Sequence, residues 1–349
     1  MAKERIVSLD WLKCLAAILI VNSHIGVCYG KYAALATGGA IGNAIFFFCS
    51  GYALSLGRFD RFDNWYKRRL FRIYPSVVAR VLIIAPIIAM LTGLFRGEEY
   101  NILSVNWLIG GGGQKLPLYQ LVHGGGWFLQ AILLFYAIIY VLRRIFRDKL
   151  IWTFPLLIIA AVIIYFVMSQ EEVVNLYAAE SKYAWFIYFI VMTMGMSLGT
   201  VHFNVKKHKT HFWLSASILL VIAYYGIMGV ARKLAIPAVE MLSLIPLFLM
   251  MYSMMKLFED GKLRNFWDNK WSWPFRFVST HCWEIYLAQL FFVFTYNNHF
   301  DKVFPFPSNI VVTFLAIFVT GYSIKVTSRL IVQLFNKGDF DWRNILITW

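Results

Sequence analysis

Charge is scarce in this chain. Only 15% of its 349 residues are Asp, Glu, Lys or Arg, against about a quarter in soluble globular proteins. With 60% of the side chains hydrophobic, so few charges cannot cover the apolar surface, which excludes an ordinary soluble domain. Acidic residues are the rarer sign, 18 against 33 Lys and Arg. Cysteine is also sparse. Cys14, Cys28, Cys49 and Cys282 all fall inside apolar segments without metal-ligand spacing, which supports neither a disulfide framework nor a zinc site. Internal repeats and low-complexity linkers are lacking, apart from a Gly-rich stretch from Gly110 to Gly126. The first apolar run is interrupted by Asp10 and Lys13 and ends in no clear small-residue cleavage site. It therefore reads as an uncleaved first helix rather than a signal peptide.

What the chain does have is apolar runs of membrane-spanning length, at roughly 7–28, 36–57, 76–95, 125–146, 150–168, 184–202, 212–232, 237–257, 276–297 and 308–331. This pattern predicts an all-α polytopic membrane protein of about ten helices, a single integral membrane domain over residues 1–349. The aromatic content, 18% with 13 Trp, fits rings placed at lipid–water boundaries. A formal net charge of +15 would suggest nucleic acid in a soluble protein, but here the cations cluster between apolar runs. Counted on alternate sides of ten spans, Lys and Arg divide 24 to 7, with Lys13 and Arg80 inside spans. The rich side is the cytoplasmic one, which places both termini inside. Residues 61–74 mix Trp65, Tyr66, Leu70 and Phe71 with five basic residues and read as a separate interfacial helix.

Ionisable groups in lipid need a partner, a watery cavity or a function. Asp10, Lys13 and His24 lie within about 40° of one another around the first helix, at 100° per residue. His24 stands roughly 16 Å along the axis from Lys13 and about 21 Å from Asp10, so the stripe looks like the wall of a deep polar cavity. A neutral imidazole near the outer end could accept a hydroxyl proton; an interhelical hydrogen bond is the plainer alternative. Lys67, Arg68, Arg69 and Arg72 crowd the inner side, where guanidinium groups suit phosphate binding, either of a soluble ligand or of anionic lipid headgroups. His123, three glycines and Trp127 mark the outer start of the fourth span. Trp127 could stack on a sugar or simply anchor at the interface. His281 and Glu284 share a face of the ninth helix and could pair, with Glu284 alternatively balancing a cation such as Arg80.

Five motifs occur in order: Arg5, Asp10, Lys13 and His24 in the first helix; Phe46-Phe47-Phe48-Cys49-Ser50-Gly51-Tyr52 in the second; a box of Arg68, Arg69, Arg72 and Pro75; Trp127-Phe128-Leu129; and Ile285-Tyr286-Leu287. Together they resemble the membrane-bound acyltransferase-3 family, which moves acetyl or other acyl groups onto carbohydrates. The arginine box after the FFF-x-SG helix is the specific part. Lys13 replaces an arginine common in the family, Gln130 and Ala131 follow the tryptophan motif where some branches carry a glutamate, and Gln289 stands where a histidine often occurs.

The resemblance implies an O-acyltransferase of the inner or plasma membrane, using cytoplasmic acyl-CoA, by default acetyl-CoA, as donor substrate and a cell-surface or lipid-linked carbohydrate as acceptor. His24 would be catalytic, as general base or as a transiently acylated nucleophile. Arg68, Arg69, Arg72 and Lys13 would bind acyl-CoA, and His123, Trp127 and Glu284 are acceptor-side candidates. No bound cofactor, metal or nucleic acid is expected, since a thioester is already activated. A transporter of polysaccharide or lipid-linked sugar is the competing reading, because ten helices around a polar cavity would suit it equally.

Overall fold

A computed structural model describes residues 6–96, 126–146, 153–168, 176–177, 182–200, 210–234, 237–292, 303–335 and 341–346. In chain order the α-helices are α1 (Val7–His24), α2 (Gly39–Ser55), α3 (Phe62–Arg96), α4 (Gly126–Phe146), α5 (Thr153–Met168), α6 (Lys182–Thr200), α7 (Thr210–Leu234), α8 (Pro237–Met241), α9 (Leu244–Phe258), α10 (Gly261–Asp268), α11 (Trp273–Thr280), α12 (Cys282–Leu290), α13 (Ser308–Leu334) and α14 (Trp342–Leu346). A 3-10 segment, Gly26–Leu35, joins α1 to α2. No strand occurs among the described residues. Helices satisfy every backbone N–H and C=O internally, which is what an apolar chain needs where there is no water to bond.

Six of these helices are long and apolar enough to cross a membrane, and a seventh span results if the 3-10 segment and α2, bent by 97°, count as one. The protein is thus an all-α, multi-pass membrane protein. Most described helix ends lie within a few residues of those expected, the eighth span being divided into α8 and α9, and two further differences are informative. The basic interfacial segment and the third span are one continuous helix, α3, 35 residues long. Pro75 sits inside it, and prolines are tolerated within membrane helices. The ninth span, by contrast, is broken at His281, whose φ of −102° and ψ of 10° separate α11 from α12.

The chain divides into two compact units. The first comprises Met1–Leu19, Gly38–Phe59 and Leu134–Ser279. Its centre is the pairing of α2 with α6, brought together by glycines. A Cβ on Gly51 would lie 1.8 Å from the Met192 carbonyl oxygen, and one on Gly195 would lie 2.1 Å from that of Phe48. Only hydrogen fits at either position, and the two backbones touch directly, as small residues allow in lipid. Phe47 fills the adjoining core, with its ring centroid 5.2 Å from Phe135 and 5.3 Å from Tyr188. Trp11 of α1 packs among Phe258, Trp267 and Phe275 at 5.6, 4.7 and 5.1 Å. Between α9 and α10, the Asp260 carboxylate caps α10 by accepting from the Lys262 N–H at 2.9 Å and also accepts from the Thr210 hydroxyl. Exposed apolar residues such as Phe212, Leu214, Ile218, Leu219 and Ile222 line α7, a surface suited to lipid rather than water.

The second unit comprises Ile20–Thr37, Asp60–Leu133 and Thr280–Trp349. Here α3 and α12 pack against α13. Polar links fix their register: Trp283 Nε1 donates to the Ile73 carbonyl at 3.3 Å and Arg80 Nε to that of Leu287 at 3.1 Å. The 3-10 segment is tied to α13, because Asn309 Nδ2 donates to the Cys28 carbonyl at 2.8 Å. All four cysteines are free thiols, three of them buried.

Candidate functional site

The second unit holds most of the residues that the sequence singles out. His24 closes α1. The two residues before it are committed to backbone: Ser23 Oγ donates to the Ile20 carbonyl at 2.8 Å, and Asn22 Nδ2 donates to those of Leu35 and Thr37 at 2.8 and 3.0 Å. The Tyr29 hydroxyl completes the clasp by donating to Asn22 Oδ1 at 2.5 Å. This pulls the far end of the 3-10 segment back onto α1 and sets the chain's course directly after His24. The Gln289 amide lies near enough to act on the His24 imidazole. Gln289 is 0% exposed, and neither of its polar atoms completes a hydrogen bond of good geometry with a described residue. A buried amide in that state is costly unless something else satisfies it.

The arginine box does not act as one block. Arg68 is held by Asp60, donating from Nη1 to Oδ2 at 2.7 Å and from Nη2 to Oδ1 at 2.6 Å. That fork-to-fork pair raises the Arg68 pKa above its ordinary value, chiefly through the hydrogen bonds. Arg69 is 8% exposed and packs its guanidinium 5.2 Å from the Trp65 ring centroid. Arg72 differs. It is exposed, forms no hydrogen bond or ion pair with any described residue, and lines a cavity of about 590 Å³. That cavity lies between α3 and α13, with Ser76, Lys325, Ser328, Arg329 and Gln333 among its other walls. His24 is not among them.

Behind one wall is a buried ion pair. Glu284, 1% exposed, accepts at Oε1 from Lys325 Nζ at 3.0 Å and from the Ser76 hydroxyl at 2.6 Å. Its partners are therefore Lys325 and Ser76, not His281 or Arg80 as the sequence suggested. Glu284 Oε2 meets no hydrogen-bond partner among the described residues. His281, at the break before α12, stands 5.9 Å from the Tyr322 ring instead. Lys13 is in the first unit, where its ammonium lies 3.4 Å from Asp10 Oδ1. Trp127 opens α4 beside Phe128, whose ring is 5.2 Å from Tyr286 and 6.1 Å from Trp283. His123 lies outside the described residues.

Sequence reasoning missed Lys325, Arg329 and Gln289 as members of the site. The spacing of Lys325 and Arg329, four apart on one helix, puts them on a common face, and that spacing is the signal in the sequence that points to them.

A family model described as an acyltransferase domain, that of the acyltransferase-3 family, matches residues 6–325. Searches of curated proteins and of solved structures returned no match. The family match runs from the start of α1 to Lys325, over every motif residue named above except Arg5 and over most of the chain; this multi-pass membrane protein belongs to the acyltransferase-3 family.

Proposed function

We propose that the protein transfers an acyl group, acetyl by default, from cytoplasmic acyl-CoA to a hydroxyl of a cell-surface or lipid-linked carbohydrate. The proposal includes ten spans, both termini in the cytoplasm, and residence in the inner or plasma membrane. The single observation that carries it is the placing of two chemistries in one compact unit of an acyltransferase-3 chain. One is an imidazole at a helix end beside a buried amide that has no hydrogen-bond partner among the described residues; the other is a cation-lined cavity.

His24 takes the proton of the acceptor hydroxyl as its oxygen attacks the thioester carbonyl. The tetrahedral intermediate collapses, the carbon–sulfur bond breaks, and the CoA thiolate leaves and collects the proton from the imidazolium. Alternatively His24 itself attacks the thioester carbonyl and expels CoA thiolate as the carbon–sulfur bond breaks; the acceptor hydroxyl then attacks the acyl-imidazole, its proton passes to the thiolate, and the carbon–nitrogen bond breaks to free the imidazole. Arg72 meets the donor's phosphates. Arg68 and Arg69 shape that end of α3, because one is engaged by Asp60 and the other by Trp65. Lys13, paired with Asp10, remains a candidate for donor binding. Trp127 and His123 remain acceptor-side candidates. Glu284, which holds Lys325, remains an acceptor-side candidate with them.

The test supplies labelled acetyl-CoA and glycan acceptors to purified, folded protein. Unmutated protein should transfer label, and His24→Ala should lower the rate by about a hundredfold or more, the usual contribution of general-base catalysis. Near-normal transfer by His24→Ala would remove His24 from the mechanism, and movement of unmodified glycan across vesicles without transfer would favour transport.

A further inference from the structure

Resting on the acyl-CoA reading above, we infer that Lys325 and Arg329 of α13, together with Arg72 of α3, form the donor's phosphate site, which takes the phosphorylated adenosine end of acyl-CoA. The last long helix, not the remainder of the arginine box, completes it. Three observations converge. Arg72, Lys325 and Arg329 line the same cavity, and no carboxylate among the described residues does. Arg68 is engaged by Asp60 and Arg69 by Trp65, so only one arginine of the box is presented there. Lys325 has an acidic partner, and that partner, Glu284, is buried and approaches it from the protein interior.

Gathering like charges around a cavity costs electrostatic energy that a bound polyanion recovers. Neutral donors add to it, since Ser328, Gln333 and Asn344 also contribute to the wall. Arg329 Nη1 donates to the Asn344 carbonyl at 2.5 Å, which orients its guanidinium. Phe71 and Val332 form an apolar edge, suited to the face of a purine. A cavity of about 590 Å³ is within the range that takes drug-sized ligands. Coenzyme A presents a diphosphate and a separate ribose phosphate, which matches a site with cations on two helices.

The experiment uses the full chain in nanodiscs of zwitterionic lipid and measures binding of coenzyme A and of 3′-dephospho-coenzyme A, with KM and kcat for acetyl-CoA where transfer is measurable. Arg329→Gln and the charge-balanced Lys325→Met/Glu284→Gln should each weaken coenzyme A binding, and raise KM, by about tenfold or more with kcat little changed. At least one should bind the two coenzymes alike, and Arg329→Lys should recover part of the loss. A readout on unmutated protein guards against misfolded variants: coenzyme A should slow phenylglyoxal modification of Arg72 and Arg329 but not of exposed Arg264. Wild-type affinity retained by folded variants, or absence of protection, overturns the site while leaving the donor reading intact. Failure of unmutated protein to bind coenzyme A at all sinks both. Variants that lose only retention of added anionic phospholipid, with coenzyme A affinity unchanged, make the cavity a headgroup site and also overturn the proposal.

Discussion

Glu284 shows what a single side chain does in this interior. With Oε1 held by Lys325 and Ser76, it is a buried anion whose charge is tolerable only while the ammonium stays. Removing Lys325 alone, as Lys325→Met, should destabilise by about 3–5 kcal/mol, because it leaves an uncompensated charge. Pairing it with Glu284→Gln should restore much of that, and thermal unfolding in detergent reads the difference. A double variant no more stable than the single would show that the pair is not the cause. His24 and the arginine box were legible from the sequence because their spacing is local. The partner of Glu284 was not, since 41 positions separate it from Lys325 and nothing local distinguishes Lys325 from Arg80 as a candidate.

Among elements, the α2–α6 pair has the least tolerance. A side chain on Gly195 would have to enter the space of the Phe48 carbonyl, so Gly195→Val should separate the helices rather than be absorbed. Expression with loss of a monodisperse peak on size exclusion is the expected result; a normal peak and unchanged melting would contradict the packing. At α10 the cap carries a pH signature. The Thr210 hydroxyl and backbone N–H groups hold the Asp260 carboxyl below its ordinary pKa of 3.8. Its contribution, about 1 kcal/mol for an N-cap, is therefore present above that value and lost as pH falls through the lower folded value. Asp260→Asn keeps an acceptor without the charge, so the melting-temperature gap between it and the unmutated protein should be flat from pH 7 to 5 and close below about pH 4. Helix positions were legible because apolar length marks them. The fusion of the interfacial segment with the third span, and the break at His281, were not, because both depend on packing rather than composition.

For the molecule as a whole, the asymmetry of Lys and Arg makes the sidedness testable. The native cysteines are mostly buried, which leaves a low background for labelling. Arg264→Cys and Arg343→Cys should react with an impermeant maleimide only from the cytoplasmic side, and Lys31→Cys only from the opposite side. Label reaching Arg343→Cys from outside would refute the ten-span arrangement. Composition alone made the membrane class plain, since 60% hydrophobic residues leave no other solvent for the surface. The division into two units was not legible, because each gathers three separate stretches of the chain.

The Asn22 clasp bears on how the protein ages. Both of its hydrogen bonds to carbonyls come from Nδ2, the atom that hydrolysis to aspartate removes. The carboxylate left behind would face two carbonyl oxygens with no proton to offer. A stored preparation in which Asn22 deamidates would thus loosen the strap beside His24 while the rest of the molecule stayed folded, and its activity would decline ahead of its melting temperature.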